Sequence, residues 1–253
     1  MNASSTGDDA LVRIETSGAT RRIVLARPDK RNALTRAMYE TLCTAIREAD
    51  ADPGIAAVVI SGEGRSFCAG NDLVDFLHDP PTGEDSSVFR FLRALVEVRV
   101  PLIAAIHGDC VGIGATMLLH CDFAVADETA VLSYPFVSLG VVPEAASSLL
   151  LPRVAGTRLA ADLLLLGRPA SARAALEAGL LTNVVPAGGH VDAALALANR
   201  LAALPREAVR ATRALLHAPE ETTSERMRRE AAIFVELLGL PEFAELASRA
   251  LGR

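Results

Sequence analysis

The sequence predicts an α/β fold, with helices packed against a sheet, followed by a helical C-terminal region. Three observations predict it. Apolar runs of strand length alternate with helix-length amphipathic stretches through the first part of the chain. The 253 residues are 51% apolar but only 4% aromatic, with no Trp, so the core must be built from Ala, Leu and Val. Small aliphatic side chains suit helices on a sheet better than an aromatic-rich β-sandwich. From Glu144 onward nearly every segment has helical periodicity.

Taken in order, residues 11–14 and 22–26 read as two short strands joined through Ser17-Gly18. Residues 32–50 read as a helix, because Leu34, Met38, Leu42, Ala45, Ile46 and Ala49 fall on one face. Thr35 suits its N-cap, and Asp52-Pro53-Gly54 stops it. The wholly apolar run 55–61 is a strand ended by Gly62 and Gly64; a helix over 87–98 leads to a second apolar strand, 102–106. Strands follow at 122–126 and 131–133. Such runs imply a sheet covered on at least one face. Helices are then expected over 145–155, 158–166, 172–178, 191–204, 206–217, 220–238 and 241–251. In the long 220–238 helix, Met227, Ala231, Phe234, Val235 and Leu238 form an apolar stripe opposite a charged face. That stripe fits a core contact or an oligomer contact equally well. The chain therefore divides into a disordered N-terminus (1–10), an α/β core (11–190) and a helical region (191–253).

Composition bounds the function. Lys+Arg 25 against Asp+Glu 31 leaves a formal charge of −6, which disfavours nucleic acid as a partner. Charged residues at 22%, with ordinary Gly (18) and Pro (13), exclude global disorder. The first nine residues, MNASSTGDD, lack the basic start and apolar stretch of a signal peptide. The longest apolar run, 101–119, holds His107, Asp109 and three glycines, which makes it poor membrane material. Cys43, Cys68, Cys110 and Cys121 show neither CxxC nor zinc-finger spacing, so they read as reduced, mostly buried thiols of a cytoplasmic protein, with no metal site expected.

Two segments follow strand ends and carry glycines where backbone can turn outward. The first is Ser66-Phe67-Cys68-Ala69-Gly70-Asn71-Asp72-Leu73, where Gly70 lets the next N–H leave the ladder. The second is His107-Gly108-Asp109-Cys110-Val111-Gly112-Ile113-Gly114, which enters a helix. It is no dinucleotide-binding loop, because the third small residue falls on Met117, and it lacks the Lys-Ser/Thr pair of a phosphate loop. Glycines entering a helix still present free N–H groups.

The motifs F-C-A-G-N-D-L (67–73), I-A-A-I-H-G-D-C-V-G-I-G-A (103–115) and C-D-F-A-V-A (121–126) resemble the crotonase (enoyl-CoA hydratase/isomerase) superfamily. R-P-D-K-R-N-A-L-T (27–35) and L-G-V-V-P-E-A-A-S-S-L-L-L-P-R-V-A-G (139–156) fit it too, so five motifs stand in order between about residues 11 and 185. The resemblance implies a spiral of ββα units with a C-terminal helical trimerisation region, and a homotrimer or dimer of trimers. It implies no separate cofactor, since coenzyme A arrives as part of the substrate thioester.

The family's shared device is an oxyanion hole of two backbone N–H groups for the thioester carbonyl. By position these are the N–H of Asn71 and that of Ile113, where the family commonly has glycine; the Ile113 side chain is expected to line the pocket. The two water-positioning glutamates of the hydratases fall on Thr116 and Phe136, neither of which can act as a base. A carboxylate stands instead at Glu144, which resembles the enoyl-CoA isomerase branch, where one glutamate shuttles a proton between C2 and C4. Pro143-Glu144 also reads simply as a helix start, where the dipole favours a carboxylate.

For coenzyme A, Arg27, Lys30 and Arg31 are basic candidates for the phosphates, and each also suits a solvated loop. The resemblance lays the adenine and pantetheine arm along the backbone near Ala33, Cys68, Ala69 and Gly70, and makes Asp72, Leu73, Gly112, Thr116 and Phe136 further substrate- or CoA-binding candidates. Asp72 is expected to tie its loop by accepting N–H bonds, and His107, Asp109 and Asp122 to be structural. Cys68 and Cys110 read as inert small residues. The polar loop 77–85 is expected to border the acyl site. The activity implied is isomerisation of a 3-enoyl-CoA to a 2-enoyl-CoA, with hydration of a 2-enoyl-CoA as the alternative. A silent acyl-CoA-binding or assembly protein is the alternative of another class.

Overall fold

The computed structural model describes residues 10–252. The N-terminus expected to be disordered lies outside them, apart from Ala10. Strands β1 (Val12–Ser17) and β2 (Thr20–Leu25) form a hairpin that turns through Gly18, at φ +55°. The preceding Ser17 belongs to the strand and pairs with Thr20. Next comes α1 (Arg36–Ala51), then β3 (Ala57–Gly62), which lies parallel to β2 with Ile60 beside Ile23. The helix begins four residues later than its periodicity suggests. Arg31 and Asn32 occupy left-handed conformations (φ 52° and 58°), and the Thr35 hydroxyl caps the helix by accepting the Met38 N–H. Asp52 ends it, as expected.

Two helices, α2 (Leu73–His78) and α3 (Ser87–Glu97), precede β4 (Leu102–Ile106). The first of them was hidden in a segment read as motif and loop. A short strand, β5 (Asp109–Val111), leads through Gly112 into the single turn α4 (Ile113–Thr116) and a 3-10 turn, Met117–His120. Then β6 (Phe123–Asp127) rejoins the main sheet, while β7 (Val131–Ser133) pairs with β5. Helices α5 (Ser147–Ala155) and α6 (Thr157–Leu165) follow, then β8 (Ala170–Ser171), α7 (Ala172–Glu177) and β9 (Asn183–Val185). Last come α8 (His190–Ala202), α9 (Arg206–Leu216), α10 (Thr223–Leu238) and α11 (Pro241–Ala250). The main sheet runs β1-β2-β3-β4-β6-β9, parallel except for the first hairpin; a smaller sheet is ordered β5-β7-β8.

The central strands β3, β4 and β6 are mostly apolar because both their faces are covered. Val58, Ile60, Leu102, Ala104 and Ile106 face the larger core, which takes in Met38, Leu42 and Ile46 of α1 and Phe91 and Leu95 of α3. The alternate residues Ala57, Val59, Ile103, Ala105 and Val125 face Ala194 and Ala198 of α8. This second face explains much of the aromatic-poor composition, since alanine on both sides lets helix and sheet approach closely. It also means that α8, just past residue 190, packs on the sheet of the α/β core.

The last helices are attached differently. Arg213 of α9 is buried, donating to Asp122 at 2.7 Å and to the Val98 carbonyl, while His217 lies 3.0 Å from the same carboxylate. On α10 and α11 no residue is buried, and Met227, Phe234, Val235, Phe243 and Leu246 are open. Among the described residues no helix is long and apolar enough to cross a membrane.

Candidate active site

The site forms where the loop after β3, the β5–α4 turn and the segment before α5 meet. The first loop is pinned from below by Asn32, which is fully buried. Its amide donates to Ser66 O at 2.8 Å and Glu63 O at 2.9 Å, and its Oδ1 accepts the Arg27 N–H at 2.9 Å. Cys68 then pairs like a strand residue with Cys110: its N–H reaches Asp109 O at 3.1 Å, and its carbonyl accepts from Val111 at 2.8 Å. Further along, Leu34 N donates to Gly70 O at 2.8 Å and Asp72 N to Leu34 O at 2.9 Å. Residue 71, between those two bonds, must alternate away from Leu34, so its N–H faces the opposite side. Gly70 at φ +96° permits the change of direction.

The second turn supplies the other donor. Gly112 N–H bonds to Ser133 O at 2.9 Å, and Gly112 adopts φ 55°, ψ −118°, which only glycine tolerates well. Its carbonyl accepts from Ala115 at 2.9 Å and Thr116 at 2.8 Å, closing the α4 turn. Ile113 is therefore the first residue of that turn, and its N–H has no acceptor within it. The two loops are pressed together: a Cβ on Gly114 would lie 2.8 Å from the Cys68 carbonyl oxygen.

This turn also overturns one expectation. The Ile113 side chain does not line the pocket; it is fully buried in the main core. The left-handed Gly112 turns the N–H outward and the side chain inward at once. Thr116, also fully buried, sits one helical turn deeper with an unpartnered hydroxyl, and does not line the cavity either.

The cavity over these loops has a volume of about 1250 Å³. Ala69, Gly70, Asn71, Leu73, Gly112, Phe136 and Glu144 all line it. Most of the remaining wall is apolar: Phe76 and Leu77 of α2, Phe89, Leu92 and Val96 of α3, and Leu139, Val141 and Val142. The loop 77–85 borders it through Leu77, Pro81 and Glu84.

Glu144 is the half-buried carboxylate of this wall; Glu84 and Glu97, also at the cavity, have largely exposed side chains. Burial pushes the Glu144 carboxyl up to about 7, opposed in part by the Asn71 side-chain amide donating to it. Its Oε1 is buried without a hydrogen-bond partner. The Asn71 amide is itself oriented by Tyr39 of α1, a fully buried residue whose hydroxyl donates to Asn71 Oδ1. Glu144 does not open a helix. Ala145 and Ala146 follow it in left-handed conformations (φ 55° and 52°), and α5 starts only at Ser147. A first-turn carboxylate would have its pKa lowered by the dipole, and this one is raised.

The expected basic contacts part company. Arg27 is turned inward, donating to Asp72 at 2.6 Å and to the Ala33 carbonyl at 3.0 Å, so it shapes the loop instead of meeting solvent. That pair holds the Asp72 carboxyl below its ordinary range while Asp72 caps α2 through the Val74 and Asp75 N–H groups. Lys30 and Arg31 stay exposed, Arg31 within 3.3 Å of Asp109. Cys68 is fully buried, its thiol pushed up to about 12, and so is inert. His107 lies away from the cavity, bonded to the Gly64 carbonyl at 2.9 Å and stacked on His190 at 4.5 Å. Sequence reasoning did not single out Asn32, Tyr39 or His120. No group of three or more His, Cys, Asp or Glu among the described residues could hold a metal ion.

Comparison with known proteins finds relatives along most of the chain. Residues 15–240 match the family described as Enoyl-CoA hydratase/isomerase. The 1,2-epoxyphenylacetyl-CoA isomerase of Escherichia coli is 37% identical over 191 residues, 72% of each chain. Among solved structures, an enoyl-CoA hydratase/isomerase from Pseudoalteromonas atlantica superposes with a TM-score of 0.81 at 37% identity, over 96% of this chain and 98% of that one. An enoyl-CoA hydratase from Polaromonas superposes at 0.88 with 29% identity, over 95% and 96%.

Proposed function

The chain belongs to the enoyl-CoA hydratase/isomerase family, with its crotonase fold, and on that premise we propose that it moves the double bond of a 3-enoyl-CoA to the 2-position. One observation carries the choice. The cavity holds a single half-buried carboxylate, Glu144, poised near neutrality. The family resemblance, which puts the hydratase glutamates at Thr116 and Phe136, supports the same choice.

The thioester carbonyl lies between the N–H groups of Asn71 and Ile113. Glu144 takes the C2 proton, and the electron pair moves onto the carbonyl oxygen as the enolate forms. Two preorganised donors match that developing charge, each worth about 100- to 1,000-fold in rate. The protonated Glu144 then gives the same proton to C4, and the C2–C3 double bond forms. No atom is gained or lost, so one base suffices. A carboxyl poised near 7 is suited to both halves of the transfer. The apolar walls suit an aliphatic or aromatic acyl group, while Lys30 and Arg31, exposed beside the loop, are suited to the coenzyme A phosphates.

Self-association is part of the same reading. Exposed Met227, Phe234, Val235, Phe243 and Leu246 on α10 and α11 suit burial against further copies, as a trimer or a dimer of trimers. Sedimentation of the purified chain checks this, and a monomer at micromolar concentration excludes it.

The deciding assay offers 3-enoyl-CoA and 2-enoyl-CoA thioesters in parallel to the wild type and Glu144→Gln. Isomerisation lost by a factor of about 100 to 10,000 in the variant supports the reading. Hydration without isomerisation reverses it, and acyl-CoA binding without turnover of either makes the chain a silent scaffold.

A further inference from the structure

We propose that His120 is a positioning residue that sets where the Glu144 carboxylate stands relative to the oxyanion donors. The inference rests on the reading of Glu144 as the base. Its origin is the conformation after Glu144. Two consecutive alanines, Ala145 and Ala146, are held left-handed, at φ 55° and 52°. For a residue with a Cβ that conformation is disfavoured, and it persists only where the surroundings impose it.

The surroundings impose it with few contacts. Ser147 bonds to the Glu144 carbonyl through both its N–H (3.0 Å) and its hydroxyl (2.6 Å), which closes the turn locally. The long-range hold is His120, whose Nε2 lies 2.8 Å from the Ala145 carbonyl oxygen. A carbonyl only accepts, so Nε2 carries the hydrogen. Burial holds the ring's pKa below the usual histidine value, against the opposing pull of the bond to the Ala145 carbonyl, and the nearby His217 and Arg213 add to the lowering. The ring is therefore a neutral donor near pH 7.

His120 ends the 3-10 turn Met117–His120, which continues α4 without a break, and α4 begins at Ile113. One short rigid element thus presents an oxyanion donor at its start and grips the base-bearing turn at its end. It also lines the cavity alongside Glu144. Ring and donor move together, so the hydrogen bond fixes the separation of base and oxyanion hole, not merely the stability of the turn.

The test combines His120→Leu, which fills the space but donates nothing, with His120→Gln, which can donate again. The Glu144 carboxyl is titrated without substrate, by infrared difference spectroscopy against Glu144→Gln, and kcat and KM are measured on a 3-enoyl-CoA. In His120→Leu the carboxyl titration is expected to fall by a unit or more, from about 7 toward the ordinary carboxylate value, as the turn relaxes into solvent. kcat is expected to fall about 10- to 100-fold with KM nearly unchanged. His120→Gln should recover both. So should Ala145→Gly with Ala146→Gly in the His120→Leu background, because glycine holds the left-handed turn unaided. If His120→Leu does not fold, His120→Asn, whose shorter amide stops short of the carbonyl, carries the same expectation.

A titration that stays at or above 7 with leucine in place, or a kcat loss that neither glutamine nor the glycines relieve, overturns the proposal. Absence of wild-type turnover on 3-enoyl-CoA would instead overturn the functional reading alone, because the carboxyl titration needs no substrate.

Discussion

The two walls of the cavity are built by different means. On the donor wall, Gly70 and Gly112 take up left-handed backbone at no steric expense, and Asn32, Leu34 and Ser133 tie the loops down. On the base wall, the left-handed positions belong to alanines, and a histidine from another element holds them. The donor wall thus needs its neighbours only to tie it down, because its glycines adopt their torsions without strain. The base wall places non-glycine residues in left-handed backbone at the cavity itself, and so stores strain there that Gly70 and Gly112 do not.

The largest effect should come from forcing the donor wall to behave like the base wall. Gly112→Ala places a Cβ at φ 55°, ψ −118°, where no neighbour clashes but the torsion itself is disfavoured. The backbone will rotate and carry the Ile113 N–H away. Turnover of a 3-enoyl-CoA should fall about 100- to 1,000-fold, as for loss of one oxyanion donor. Unchanged kcat would mean that this N–H is no donor.

A second effect separates the walls by pH, because the base wall carries Glu144, whose carboxyl is pushed up to about 7 by burial. Glu144 must be ionised to take the C2 proton, so kcat/KM should rise with pH through about 7 and then level off. At pH 5 about 1% of the carboxyl is ionised, so activity there should be about 100-fold below the plateau. Stability runs the other way. The folded pKa lies above the unfolded value of 4.5, so the folded chain binds the extra proton between those values. This contribution to stability is fully present below about pH 4 and is lost as pH rises through 7, by about 3 kcal/mol. Glu144→Gln should lack this decline, melting with the wild type at low pH and above it at pH 8. Parallel melting curves at both pH values would show that the carboxyl is not desolvated.

A third change probes how the donor wall is tied. Asp72 caps α2 and pairs with Arg27, both side chains being mostly covered. Asp72→Ala removes the cap and leaves Arg27 facing only the Ala33 carbonyl, for a loss of about 1–3 kcal/mol by denaturant titration. Arg27→Ala in the same background should add little, because the two belong to one interaction.

The contrast also explains what the sequence could reveal. The donor wall was legible because glycine advertises its torsion: Gly70 and Gly112 marked both turns, and Asn71 and Gly112 line the cavity. The helices after residue 190 were legible from periodicity alone. Ile113 and Thr116 misled because the turn at Gly112 decides which way they face, and a torsion is not a residue type. On the base wall, Pro143-Glu144-Ala145-Ala146 reads as a helix start, and alanine is the best helix former. The overriding contacts join residues 120 to 145, 39 to 71 and 32 to 66, separations that no local pattern signals.

The smallest prediction has the opposite sign. Ala146 is exposed and held at φ 52°, and its carbonyl accepts from Leu149 and Leu150 at 2.9 Å, so its backbone is fixed while its methyl is not packed in the core. Ala146→Gly relieves about 1 kcal/mol of left-handed strain. It also loosens the unfolded chain, which takes back about 0.4–1 kcal/mol. The balance is a gain of a few tenths of a kcal/mol, or about 1 °C in a chain of this size. Ala→Gly is ordinarily destabilising at an exposed position in regular structure, so even an unchanged melting temperature places the strain at Ala146. A loss of 2 °C or more would mean that the turn is relaxed, and that the base wall needs no outside hold.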